Sequence, residues 1–225
     1  YENGDTDFGG DNLTYRIMQY IKIRMVEKLG FGMPASAEDI LQGLDVDTFR
    51  FVDASGTPEL YKSLEDAYEV AGQYLPTRFR EYETRSRDAY FRVKNNFYHL
   101  FHIAEQVKKH FYEQAGVLRV GISSGAHQDS DISWVRADKW KLSVQENGTF
   151  RVVKEFPEII VNLYETSLVI RGDIYGIIRK FMEPLYKEDR IRDFSFLRLT
   201  GQSCKIDLFK EALKEFIPGR MIQFR

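Results

Sequence analysis

Apolar residues recur every three or four positions across residues 11–29, where Leu13, Ile17, Ile21 and Met25 form one stripe and Gly30 stands at the end. This spacing predicts a first helix with a glycine stop. Residues 31–56 are less periodic and are punctuated by Gly, Pro and Asp. Thr57-Pro58 predicts a second helix, with Thr as N-cap and Pro in the first turn. Its buried face is Leu60, Leu64, Ala67, Tyr68 and Ala71. After a break at Pro76, a long helix is predicted from about residue 78, with Phe97, Phe101, Ala104, Val107 and Phe111 at helical spacing.

The period then shortens. Residues 116–123 (GVLRVGIS) read as a strand. Residues 140–144 and 150–156 flank Asn147-Gly148, whose two positions both favour positive φ and therefore predict a tight hairpin. Residues 158–170 read as one or two further strands. Arg171-Gly172-Asp173 predicts a new helix with Asp173 as N-cap and Ile174, Ile177, Ile178, Phe181 and Leu185 inward, kinked or interrupted at Pro184. A strand at 194–200, a turn at Gly201-Gln202-Ser203 and a helix at 205–216 close the chain. Strand, glycine turn and helix is a common way for an α/β sheet to present a ligand site.

With 225 residues, 43% of them hydrophobic and 29% charged, the chain has enough apolar surface for a sizeable core. Lys and Arg (32) nearly balance Asp and Glu (34), and the net charge of -2 excludes a general nucleic-acid binder. No apolar run is long enough to span a bilayer and no signal peptide is visible, so no membrane partner is expected. The single cysteine, Cys204, points to a reducing, cytoplasmic location. A chain that opens on Tyr1 is expected to be a segment of a longer protein. The 17 Phe and 13 Tyr are read as packing.

The candidate chemistry begins at residues 4–13 (GDTDFGGDNL). Gly9 and Gly10 let a backbone come close to a ligand, and the helix start behind them offers N–H groups and a positive dipole end to an anion. A second segment, residues 197–206 (LRLTGQSCKI), leads into a helix ending Glu215-Phe216.

These two segments resemble the DnaK-type heat-shock chaperone ATPase family, within the actin-like superfamily. The first matches the family's Gly-Asp-Thr-His-Leu-Gly-Gly-Glu-Asp-Phe-Asp, the last its Val-Gly-Gly-Ser-Thr-Arg-Ile-Pro. Between them Ile103-Ala104-Glu105-Gln106-Val107-Lys108-Lys109 is similar to Ala-Cys-Glu-Arg-Ala-Lys-Arg, and Phe181-Met182-Glu183-Pro184-Leu185 to a helix with a Glu-Pro step. The four matches run in the family's order.

The resemblance implies an α/β (α+β) fold, lobe II of an actin-like ATPase. A partial ribonuclease-H-like inner subdomain (1–10 and 170–225) would carry an outer helix-and-antiparallel-sheet subdomain (11–169), with insertions near 31–90 and 124–156. It implies ATP or ADP as ligand, with Mg2+ in the full-length protein. Gly9 and Gly10 would approach the phosphates. Glu105, Lys108 and Lys109 would line the ribose and adenine, and Gly201, Gln202, Ser203 and Lys205 would hold the adenosine from the other side. Four positions depart from the pattern. Gln202 replaces a glycine, Lys205 an arginine that stacks on the base, Asp207 a proline, and Tyr112 a serine that contacts adenine, where the ring would stack on the base or block it.

The resemblance further implies an ATPase parent, with turnover depending on a first lobe and a phosphate loop before Tyr1. No catalytic residue and no metal ligand is assigned to the chain itself. A nucleotide-exchange factor or other protein partner would dock on the outer subdomain. Two alternatives stay open, a degenerate actin-like scaffold or protein-interaction domain, and an actin-like small-molecule kinase.

Other features have blander readings. His99 and His102 share a helix face but no ligand cluster completes a metal site, so packing is expected. Cys204 precedes a helix, where a thiolate would be stabilised, but reads as a spectator. Asp5 and Asp7 read as solvated turn residues.

Overall fold

Helix α1 (Gly10–Lys28) is apolar on every side across its middle, and the molecule is arranged around it. Each residue from Ile17 to Ile23 is buried, so the predicted stripe is in fact a core helix, with Gln19 and Lys22 carried inside it. At its end Gly30 adopts φ +84°. Its N–H donates to the Glu27 carbonyl at 3.0 Å and that of Phe31 to Val26 at 3.2 Å, the glycine stop the sequence predicts. The computed structural model describes residues 9–128, 130–137, 141–194, 196–201, 204, 206–219 and 221–224.

The weakly periodic stretch folds into two short helices, α2 (Ala37–Leu44) and α3 (Thr48–Ser55). Each is set by its cap: Ser36 and Asp39 exchange side-chain-to-backbone bonds at 3.0 Å, and Asp47 accepts from the Arg50 N–H at 3.2 Å. Helix α4 (Thr57–Leu60) starts one residue earlier than the sequence suggests, with Gly56 as N-cap and Thr57 already helical. After a break at Tyr61, α5 (Lys62–Ala71) buries Leu64, Ala67, Tyr68 and Ala71.

The long helix α6 (Arg87–Glu113) begins later than residue 78, at a Ser86 cap. Residues 78–86 (RFREYETRS) hold too little apolar surface for a stripe, and Phe79–Tyr82 forms only a 3-10 turn. Asn96, fully buried in α6, donates to the carbonyls of Pro76 (2.9 Å) and Ser143 (2.8 Å) and accepts from the Ser143 N–H (2.8 Å). One amide thus ties helix, loop and sheet together.

Strand β1 (Arg119–Ser123) lies between β2 (Ser133–Arg136), parallel to it, and β5 (Ile159–Asn162), antiparallel. Strands β3 (Ser143–Glu146) and β4 (Thr149–Val152) form the expected hairpin, with Asn147 at φ 49° and Gly148 at φ 79°. Trp140, placed in that hairpin by sequence, lies outside the described residues.

Residues 158–170 are not two strands. β5 ends at Asn162, whose side chain accepts from the Glu165 N–H at 2.8 Å and so starts α7 (Leu163–Lys187). Helix α7 runs unbroken through Arg171-Gly172-Asp173 and through Pro184, so Asp173 is mid-helix and not an N-cap. The glycines serve packing. A Cβ on Gly172 would lie 2.6 Å from Leu60 and 2.9 Å from Tyr61, and one on Gly176 would lie 2.5 Å from the Thr57 hydroxyl. The Tyr61 hydroxyl donates to the Val169 carbonyl (2.7 Å) and accepts from the Asp173 N–H (3.1 Å), the two groups an α-helix pairs with each other.

At the end of the chain β6 (Phe196–Leu199) and β7 (Met221–Phe224) pair in parallel, with α8 (Asp207–Phe216) between them in sequence and packed on α7. The division expected at residue 170 falls inside α7. One apolar core takes in Leu13, Val120, Val169 and Phe209 alike. The class is mixed α and β with small sheets, and no helix among the described residues is long and apolar enough to cross a membrane.

Candidate functional site

The start of α1 and the C-terminal half of α6 meet at Lys108. Its ammonium donates to the Gly10 carbonyl and to the Thr14 hydroxyl, both at 2.7 Å, and the Thr14 hydroxyl donates in turn to Gly10 at 3.0 Å. Residues 98 positions apart are thereby held in one cluster. Burial lowers the Lys108 pKa, opposed by Glu105 and Asp11. Glu105 and Lys109 pair with each other at 3.4 Å on the half-exposed side of the helix.

Gly9 is extended, at φ −151° and ψ −174°, a conformation open to other residues, so the backbone does not require glycine there. Among the described residues a Cβ there would meet nothing within 4 Å. The Gly9 N–H already donates to the Asn12 side chain at 3.0 Å, so that amide is engaged. Tyr112 is turned toward α7: its hydroxyl lies 3.2 Å from that of Ser167, and burial pushes it up to about 12. Gly201 sits at φ +109°, a conformation that favours glycine, in the turn before α8. Gln202, Ser203 and Lys205 lie outside the described residues, as do residues 4–8 with Asp5 and Asp7. Cys204 is half-buried and burial raises its thiol, the opposite of an activated thiolate.

A cavity of about 310 Å³ opens beside the same helix start, lined by Asp11, Asn12, Tyr15, Arg16, Glu65 and Asp173. Arg16 lies 3.7 Å above the Tyr61 ring and reaches Asp173 (2.7 Å) and Glu65 (2.6 Å). Burial pushes the Asp173 carboxyl up despite this guanidinium. Three acids against one committed arginine make the cavity wall unfit for a phosphate.

Comparison with protein-family models, curated proteins and solved structures finds no match.

Two other clusters are chemically notable. Ser123 and Glu158 both address His127, at 2.8 and 3.5 Å, but through the same ring atom, Nε2. A catalytic triad needs the acid on the opposite nitrogen, so this arrangement is not one. His99 is buried in α6 with its ring edge-on to Phe156, and no metal-binding group occurs among the described residues.

The group that sequence reading missed is Lys22. It is 1% exposed, its ammonium donates to the Thr77 hydroxyl at 2.9 Å, and it lies 4.0 Å above the Tyr68 ring. Burial lowers its pKa from 10.5 to about 7, with Arg78 adding to the effect and Glu69 and Glu81 opposing it. The signal was available in residues 17–26 (IMQYIKIRMV): a run this apolar on all sides leaves a lysine inside it no route to water.

Proposed function

We propose that the chain is the nucleotide-contacting lobe of a DnaK-like molecular chaperone or related actin-like ATPase. ATP or ADP would lie over the start of α1 and the outer side of α6. The observation that carries the reading is Lys108, which clamps the Gly9-Gly10 turn against the helix bearing Glu105 and Lys109. In this arrangement Glu105 accepts hydrogen bonds from ribose hydroxyls, exchanging part of its contact with Lys109 for them. The order of elements supports the same reading. A glycine turn and helix come first, then, past the short helices α2 to α5, a second long helix, a small mixed sheet with an antiparallel hairpin, a helix carrying Glu183-Pro184, and a strand–glycine turn–helix. The positive φ of Gly201 suits a backbone lying flat on a nucleoside, with Gln202, Ser203 and Lys205 completing that side and Mg2+ arriving with the phosphates. The proposal concerns binding, not turnover.

Calorimetric titration with ATP and ADP tests it. Binding is expected in the wild-type chain, and Glu105→Ala should weaken it about tenfold or more, the value of a charge-assisted hydrogen bond. No heat at high micromolar nucleotide, or an affinity indifferent to Glu105→Ala, refutes the reading.

One observation favours a second role, as a protein-interaction scaffold. The N-terminal half of α6 carries an aromatic ridge in which Phe91 (52% exposed) and Tyr98 (48% exposed) stand beside Tyr90, Phe97 and Phe79. On that reading Phe91→Ser with Tyr98→Ser abolishes cross-linking to the partner protein and leaves nucleotide titration unchanged. A partner still captured by the double variant excludes the ridge.

A further inference from the structure

We propose that the cavity over Lys22 is a second ligand site, separate from the nucleotide surface, that takes the oxyanion headgroup of a small metabolite against the Lys22 ammonium. The cavity holds about 350 Å³ and is built by α1, α5 and the loop leading to α6. Most of it comes from the stretch that the family resemblance treats as an insertion, so that resemblance does not imply it. Nor does it depend on the nucleotide reading.

Three observations point to an anion. First, an ammonium has three donors, and among the described residues only one acceptor, the Thr77 hydroxyl, meets that of Lys22. Thr77 is shared further, with the Tyr68 hydroxyl 2.6 Å away. A buried cation left so under-partnered is costly, and an entering oxyanion supplies both the charge and the missing acceptors.

Second, the charged groups that face the amine are arranged to leave it open. Glu69 pairs with Arg78, and Glu81 lies 3.8 Å from the same guanidinium, so both acids are drawn to Arg78 at the half-exposed rim. Tyr68 contributes no charge near neutrality, since burial pushes its hydroxyl up. Arg78 is thereby neutralised at the mouth, which leaves Lys22 as the cation facing the cavity, with Gln73 and Gln145 along the wall.

Third, Gly72 ends α5 at φ −63° and ψ −18°, dihedrals that do not call for glycine, although a Cβ would lie a tight 3.1 Å from the Glu69 carbonyl. A Cβ there would sit 3.4 Å from the Lys22 ammonium. The absence of a side chain leaves space beside the amine, which is itself buried, for a small shift to expose it to the cavity.

Binding requires the ammonium, so it brings a proton with it whenever the free amine is neutral. Sulfate is the suitable probe because it does not titrate in the working range, so any pH dependence comes from the protein. Titration calorimetry on the full chain in two buffers of different ionisation heat gives the affinity and the proton count together. With a free-amine pKa of about 7, sulfate should bind about twenty-five-fold more weakly at pH ~8.5 than at pH ~6.5, and take up close to one proton at the higher pH. Lys22→Met should abolish both the binding and the uptake. Gly72→Ala keeps the lysine and the backbone geometry but crowds the amine, and should weaken sulfate at least several-fold. Sulfate that binds without proton uptake overturns the proposal, as does sulfate that stabilises Lys22→Met as much as wild type, or no binding at millimolar concentration.

Discussion

Replacing Lys22 by methionine should make the protein more stable at neutral and acidic pH and remove one component of its pH dependence. Methionine keeps the length and apolar stem of lysine, and the Thr77 hydroxyl retains Tyr68 as partner, so no polar atom is newly orphaned. Burial holds the folded pKa at about 7 against 10.5 for the ordinary side chain. A cation whose folded value lies below its unfolded value costs most at low pH, where it must be buried charged. The cost is relieved as pH rises through 7, because the folded chain then releases a proton that the unfolded chain keeps until 10.5. Well inside that window each pH unit contributes about 1.4 kcal/mol, and with the amine half titrated at pH ~7 wild type should gain roughly 2.3 kcal/mol between pH ~7 and ~9 that Lys22→Met does not. The assay is urea unfolding of both proteins at half-unit steps, stopping below pH ~10. Above that, buried tyrosines such as Tyr20, pushed up to about 12, turn the slope the other way. The difference between the two curves isolates Lys22 from every other titrating group. Parallel curves would refute the reasoning, since they would mean the amine keeps its proton, and with it water or a counter-ion, in the folded state.

Asn96→Leu should be among the most damaging single changes, costing about 3–5 kcal/mol in chemical denaturation, because it strands three buried backbone groups at once. Gly172→Ala should destabilise by about 1–3 kcal/mol, as its methyl meets Leu60 and Tyr61. Gly43→Ala, on the exposed side of α2 with nothing within 4 Å, should instead stabilise by about 0.5–1 kcal/mol, so opposite shifts in thermal midpoint are expected. His99, held near 4 by burial and by His102, is neutral in the fold while the unfolded chain protonates near 6.5. Stability should therefore fall as pH drops from 6.5 toward 4, by up to about 3 kcal/mol, and thermal melts of His99→Gln should lack that component.

The sequence marks elements where local chemistry decides them. The Gly30 stop and the Asn147-Gly148 hairpin adopt the left-handed backbone their residues favour. It misleads where a distant group intervenes. Arg171-Gly172-Asp173 looks like a helix start, yet each part is explained from outside α7: Gly172 by contact with Tyr61, Asp173 by its bond to Arg16, and the ladder by the inserted Tyr61 hydroxyl. Helices α2 and α3 are too short to show a period, although their caps, Ser36 with Asp39 and Asp47, are written in the chain. At the candidate site, Gly10 and Lys108 could be paired only through a family likeness, because nothing local links positions 98 apart. Lys22 needed no likeness, only the recognition that α1 has no wet side.

Because α1 is buried on all sides by segments made after it, its synthesis and its burial are separated in time. The partner that neutralises Arg16, Asp173, follows it by 157 residues. At about 5–20 residues per second, α5 and α6 emerge first to cover part of this helix, and roughly 8–30 s pass before Asp173 and its stretch of α7 exist to complete the burial. The hub of the finished molecule is thus the first helix made and among the last to be fully enclosed.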